Sequence, residues 1–228
     1  KVNAIELSSY KSGYFISYTN DNKNYLKEIS YFFINGSNDY FNCLNIDNIF
    51  DYKIERDNKY NLGDKEKLKI KKILYYGLNY RNHTDNIWFI VDQFRIWQLM
   101  YPNLNLKLVN FNGEPITKLD GYFKELDNDI FKSDIKPSFG LEISANLKTQ
   151  KSFMDYNNVI QDYKFVNSAL TSTIENNIFS VYSIKPGVFN VELKRSYGKE
   201  NFAVYANKNS TFVNGSNGFT DYLNIKVN

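Results

Sequence analysis

From Phe139 onward, apolar side chains fall on alternate positions: Phe189, Val191 and Leu193 are separated by polar neighbours, and so are Leu223, Ile225 and Val227. A strand turns successive side chains to opposite faces, so these runs suit a sheet with one face on a core and the other in water. Pro186-Gly187, Gly198, Asn214-Gly215 and Asn217-Gly218 interrupt the runs with turn-forming residues. The first sixty residues read the same way. Tyr14-Phe15-Ile16-Ser17-Tyr18 is β-rich, Asn20-Asp21-Asn22 favours a turn, and Phe32-Phe33-Ile34 stops at Asn35-Gly36.

Between these stretches the period changes. Asp64, after Gly63, is placed to cap a helix over 65–76, with Leu68, Ile70, Ile73 and Leu74 as its apolar contacts and Gly77 as its stop. Thr84 is placed to cap a second helix over 85–100, which Tyr101-Pro102 ends because proline disfavours helical geometry in the residue before it. Ile90, Gln93, Trp97 and Met100 share one face of that helix, so Gln93 is an amide among apolar side chains. Residues 103–137 accommodate a hairpin or loop around Asn112-Gly113 and a short helix near 116–126. The expected fold is therefore α+β: an antiparallel β-sandwich or barrel with an inserted helical subdomain. One domain is expected over 1–228, β-rich over 1–62, helical over 63–101, unassigned over 102–138 and β-rich over 139–228.

Charge and cysteine usage narrow the function. The 28 basic and 25 acidic residues are scattered, and a net +3 with no basic face argues against nucleic-acid binding. No run approaches the roughly 18 apolar residues of a membrane helix, so no membrane insertion is expected. Lys1-Val2-Asn3-Ala4 lacks the apolar stretch of a signal peptide, which leaves a cytosolic or an already processed chain. A single cysteine excludes an internal disulfide framework and zinc sites built from several thiolates, and no metal or cofactor is expected. The single histidine means that any Cys-His pair is Cys43 with His83, and Asp85 would complete a triad. His83, just before a helix start, reads more readily as a solvated loop residue.

Cys43 lies in Tyr40-Phe41-Asn42-Cys43-Leu44-Asn45-Ile46, where either face of a strand puts the sulfur among apolar neighbours. Four glutamines are present, and Gln98 and Gln150 read as surface residues. Gln161 does not. In Val159-Ile160-Gln161-Asp162-Tyr163-Lys164-Phe165 the alternation sets Val159, Gln161, Tyr163 and Phe165 on one apolar face. Burying an amide without partners costs about 1–3 kcal/mol, so Gln161 should be hydrogen-bonded or have lost its amide chemically.

Three segments together resemble the thioester domains of Gram-positive bacterial surface adhesins. They are Phe41-Asn42-Cys43-Leu44 near the start, the helical Asp92-Gln93-Phe94-Arg95-Ile96-Trp97, and Ile160-Gln161-Asp162-Tyr163. Tyr75-Tyr76-Gly77 resembles the family as well. Two positions depart from the family pattern: Asn42 stands between the aromatic residue and the cysteine, and Asp92 stands where the family has threonine. The resemblance implies a thioester between Cys43 and Gln161, a supporting role for Gln93, and aromatic shielding by Trp97, Tyr75 and Tyr163. It further implies a single-turnover module rather than an enzyme, displayed on the bacterial cell surface as a monomeric domain of a wall-anchored protein. Its partner would be a host surface or matrix protein, captured through a lysine amine as an isopeptide. Two other readings stay open at this point: a cysteine hydrolase or transglutaminase-like enzyme using Cys43 and His83, and a non-covalent β-sandwich lectin using the many aromatics.

Overall fold

The computed structural model describes residues 4–37, 39–46, 52–166, 170–195, 201–216 and 218–228. The chain divides into two units, one of residues 1–130 and 199–217 and the other of 131–198 and 218–228. The first unit holds β1 (Ile5–Glu6), β2 (Ser8–Asn20), β3 (Lys23–Phe33), β4 (Asn42–Cys43), β5 (Lys53–Arg56), α1 (Asp64–Tyr76), α2 (Ile87–Met100), β6 (Lys107–Val109) and most of α3 (Asp120–Lys132). The second contributes β7 (Glu142–Ala145), β8 (Lys151–Met154), a 3-10 turn (Ile160–Asp162), β9 (Lys164–Val166), β10 (Thr171–Glu175), β11 (Ile178–Tyr182) and β12 (Gly187–Arg195). The chain then forms β13 (Ala203–Ala206) and β14 (Thr211–Asn214) in the first unit and ends with β15 (Phe219–Val227) in the second.

In the first unit the sheets run β1-β5-β13-β14-β4 and β3-β2-β6. β2 and β3 form a long hairpin in which Asn20 faces Lys23. Asp21 and Asn22 take positive φ at its tip, the backbone that a two-residue turn between twisted strands requires. In the second unit the sheets run β7-β15-β12-β9 and β10-β11-β8, antiparallel except where β15 meets β7. β12 and β15 pair from Gly187 with Val227 to Arg195 with Phe219. The alternation read from the sequence is the one observed: Val191, Leu193, Leu223 and Ile225 are fully buried. Each buried aliphatic side chain of this size contributes about 1.5–3 kcal/mol, so this pairing is the backbone of the second core.

The helices differ from expectation at their ends. α1 begins at Asp64 itself, with Gly63 outside it and no side-chain cap, and Leu68 faces solvent. α2 begins at Ile87, where the Asp85 carboxylate rather than Thr84 accepts the Ile87 N–H at 2.9 Å. α3 starts later and runs further than the short helix expected near 116–126. Before it, Asn110 Oδ1 accepts the N–H groups of Asn112 and Glu114 and makes the Asn112-Gly113 turn.

α2 is covered on nearly every side rather than along one stripe. Trp88 to Phe94, Ile96 and Trp97 are all buried, and two of them, Asp92 and Gln93, are polar. Asp92 Oδ2 accepts the Leu78 N–H at 2.9 Å, just past the end of α1. The carboxylate lies so close to Gly77 that a Cβ there would fall 1.8 Å from Asp92 Oδ1. Whatever the backbone angles, that contact leaves no room for a side chain at Gly77. Gly77→Ala is therefore expected to lower the melting temperature by about 4–12 °C, on the order of 2–3 kcal/mol. Gly77→Ala combined with Asp92→Ala should recover part of that loss, and a double variant no better than Gly77→Ala would reject the contact as the cause.

Candidate functional site

Cys43 belongs to a strand of two residues. On one side β4 pairs with β14, Cys43 opposite Phe212 and Asn42 opposite Val213. The following residues continue the junction, Leu44 N–H donating to Thr211 O at 2.8 Å and Thr211 N–H to Asn45 Oδ1 at 2.6 Å. The side chain is fully buried in a cluster with Leu7, Phe32, Phe41, Ile54 and Phe212. Its Sγ lies 3.3 Å from Asn45 O as donor.

The other edge of β4 is closed by Gln93. The Cys43 N–H donates to Gln93 Oε1 at 2.8 Å, and Gln93 Nε2 donates to Cys43 O at 2.7 Å. Asn42 Nδ2 also reaches Gln93 Oε1, at 3.4 Å. One side-chain amide thus offers the acceptor and the donor that a neighbouring strand would present, and the buried carboxamide uses its oxygen and one of its two N–H groups in the process. Gln93 fixes the backbone of the residue that carries the sulfur. One helical turn further on, Trp97 is buried, and its indole N–H has no hydrogen-bond partner among the described residues. Tyr75 is fully buried beside Tyr76 and Tyr80, with ring centroids 4.7 and 5.7 Å away.

His83 is not the solvated loop residue expected. It is buried, stacked at 3.5 Å on Trp88, with Nδ1 2.9 Å from Tyr76 O and Nε2 3.1 Å from Glu125 Oε1. Carbonyls only accept, so Nδ1 carries a proton. Both ring nitrogens are engaged away from Cys43 and Asp85, and Asp85 is exposed at the start of α2; the Cys43-His83-Asp85 triad is not assembled. Among the described residues, one grouping of potential cation ligands has its donor atoms within 4.8 Å of one another: His83, Glu125 and Asp129.

Gln161 and Tyr163 belong to the second unit. The expected strand alternation across 159–165 is not formed. Residues 160–162 make a 3-10 turn, the strand starts at Lys164, and the buried residues are Val159, Ile160, Asp162 and Tyr163. Gln161 is exposed, with Nε2 3.4 Å from Asn158 O. The cause is Asp155, a buried carboxylate whose oxygens gather the N–H groups of Asn157, Val159 and Ile160 and bend the chain, with Asn158 at positive φ. Burial pushes the Asp155 pKa up, but hydrogen bonds from Ser138, Ile160, Val159 and Asn157 outweigh this and hold it below the ordinary carboxylate value. Tyr163 is tied as well. Its hydroxyl donates to Asp221 and accepts from Arg195 Nη2 at 2.6 Å, while burial pushes its pKa upward.

Asp155, Arg195 and the Gly77–Asp92 contact were not singled out from the sequence. Asp155-Tyr156-Asn157-Asn158 has the composition of an Asx turn, which would have placed a bend before Gln161. The alternation through Val191 and Leu193, carried one step further, puts Arg195 on the inner face. Gly77 against Asp92 leaves no local sign.

The architecture is that of a known class: the fold is that of a thioester domain, α+β as expected. A solved structure described as the thioester domain of the Staphylococcus aureus TIE protein matches with a TM-score of 0.75 over 99% of this chain and 98% of that one, at 18% identity. No family model and no curated protein matches the sequence.

Two outcomes follow from the geometry. Gln93→Leu should lower stability by about 1–3 kcal/mol in urea unfolding, because the Cys43 N–H and C=O lose their partners. Gln93→Glu should be less stable than the unmutated chain at neutral pH and recover on acidification, since only the protonated acid donates to Cys43 O. Its folded pKa is then raised above the usual value of about 4.3, the unfolded state binds fewer protons, and stability falls as pH rises. For Asp155 the sign is opposite. A depressed folded pKa adds stability above about pH 4 that is lost as pH falls through it, so Asp155→Asn should flatten the acid limb of a melting-temperature profile.

Proposed function

We propose that the chain is a covalent adhesion module, displayed outside a bacterial cell, in which Cys43 and Gln161 form an internal thioester that is passed to an amine on a host protein. The observation that supports it most is the thioester-domain fold over nearly the whole chain, combined with a lone cysteine whose backbone is held by a helix glutamine. The assignment of Gln161 as the acyl donor rests on the resemblance of Ile160-Gln161-Asp162-Tyr163 to the family element.

In the first step the Cys43 sulfur attacks the Gln161 carboxamide carbon. A carbon–sulfur bond forms, the carbon–nitrogen bond breaks, and the thiol proton leaves on ammonia. The thiol gives up its hydrogen bond to Asn45 O, for which S–H is a weak donor, and Gln161 Nε2 gives up a long contact with Asn158 O at 3.4 Å. Gln93 keeps one amide N–H beyond the one bonded to Cys43 O, the group a role at the tetrahedral oxyanion would use. Sulfur donates into the carbonyl less well than nitrogen, so the product is the better electrophile.

In the second step a partner lysine attacks the acyl carbon. The amine nitrogen bonds to carbon, the carbon–sulfur bond breaks, the amine proton passes to sulfur, and Cys43 returns as a thiol. At a reference pKa of about 10.4 an exposed lysine is almost wholly protonated at pH 7, so docking has to favour its neutral form. Trp97, Tyr75 and Tyr163 are the proposed shields of the bond against water. The reaction consumes the bond once, which makes the module a binder and not a catalyst. The cysteine-enzyme reading has no such support, because His83 is committed to Tyr76 O and Glu125.

Intact-mass spectrometry of the unmutated chain should show a deficit of one ammonia from the sequence mass. The deficit should vanish in Cys43→Ala, and methylamine should add at Gln161 in the unmutated protein. A full sequence mass together with a stoichiometrically titratable thiol rejects the proposal.

A further inference from the structure

We propose that Asp155 is a positioning residue for this chemistry: its buried carboxylate ties down the turn leading into Gln161 and so fixes where the Gln161 carboxamide is presented. The inference rests on the reading of Gln161 as the acyl donor.

Asp155 is 1% exposed, and each of its oxygens serves two backbone donors. Oδ1 accepts from Ser138 at 2.7 Å and Asn157 at 3.1 Å; Oδ2 accepts from Val159 at 2.7 Å and Ile160 at 2.8 Å. The Asp155 backbone is itself held, its N–H donating to Asn177 O at 2.8 Å. Three of the four donors come from the five residues that follow, and the last belongs to the residue immediately before Gln161. The turn cannot unwind without stranding buried N–H groups beside a buried charge, which is costly. On the far side of Gln161, Tyr163 is pinned through its hydroxyl and ring: Arg195 donates to the oxygen and lies 4.3 Å from the ring centroid, and Arg195 also donates to Ile135 O at 3.0 Å.

Gln161 therefore projects from a one-turn 3-10 segment pinned before and after it, while its own side chain is exposed. That is the arrangement expected of a group that must be offered to a nucleophile in one place. The loss of backbone freedom is met during folding, not at the moment of reaction. A carboxylate suits the task better than a carboxamide, because four donors converge on it and an Asn side chain turns an NH2 group toward two of them.

The test uses the full chain in four forms: unmutated, Asp155→Asn, Asp155→Ala, and Val191→Ala, which opens the core of the same unit but removes none of the four Asp155 hydrogen bonds. Melting temperatures identify which variants are equally destabilised, and intact mass gives the fraction lacking ammonia. The expected result is a deficit in most molecules of the unmutated chain and of Val191→Ala, a fall of at least tenfold in Asp155→Ala, and an intermediate loss in Asp155→Asn. A deficit in the Asp155 variants equal to that of the unmutated chain overturns the proposal and leaves the thioester standing. An equal fall in Val191→Ala also overturns it, since stability alone then accounts for the loss. No deficit even in the unmutated chain removes the thioester reading itself. If the Asp155 variants do not fold, amide hydrogen exchange of the unmutated chain decides: Ser138, Asn157, Val159 and Ile160 must be protected to the level of β12, and exchange at exposed rates overturns the proposal.

Discussion

The two hydrogen bonds between the Gln93 carboxamide and the Cys43 backbone set a condition that the first unit has to meet. A buried helix is free to rotate about its axis as long as its surface is uniformly apolar, and α2 is apolar on nearly every side. Two successive polar residues remove that freedom. Asp92 and Gln93 point about 100° apart around the axis, and each grips the backbone of a different segment, Leu78 in one case and Cys43 in the other. A single rotation and a single axial position satisfy both. The cost of burying a carboxylate and an amide is thereby turned into register, and the register is what places the sulfur-bearing residue. Gly77 makes room for the Asp92 carboxylate in that arrangement.

The second unit meets a related demand with the same means. Asp155 gathers four backbone N–H groups, and Arg195 reaches from β12 to Ile135 O and the Tyr163 hydroxyl. In both units a polar side chain inside an apolar shell is matched to backbone groups that have no other regular partner. A strand of two residues has little ladder of its own, and a turn of five residues has none. Side chains supply what the secondary structure lacks, and the segments so held are the ones that carry Cys43 and Gln161.

How far the sequence was readable follows from the range of each interaction. Val191, Leu193, Leu223 and Ile225 declare their face by period, because a pleated strand reports burial locally, and the β-rich character at both ends followed from it. α1 and α2 were legible from their runs and stops. The burial of Cys43 was legible from Phe41 and Leu44, and that of Gln93 from Ile90 and Trp97. Gln161 was misplaced because period-two alternation was carried through a segment that Asp155 bends, and His83 because its neighbours in sequence are polar while its neighbours in space are Trp88 and Tyr76. The Gly77–Asp92 contact joins residues 15 positions apart across two helices, and nothing in either local pattern announces it.

The corrected position of Gln161 changes what can drive the proposed condensation. A carboxamide trapped on an apolar face would be relieved by losing its nitrogen, and the reaction would draw on the cost of its burial. An exposed carboxamide has its hydrogen bonds to water at hand and gains nothing of that kind. The drive must then come from elsewhere: from ammonia, released and diluted, and from a backbone ordered before reaction so that little further backbone entropy is lost on bond formation. The same exposure sets a second condition. The acyl carbon of the proposed bond has to be drier than the exposed carboxamide is, and that is the demand the proposed shields Trp97, Tyr75 and Tyr163 would have to meet.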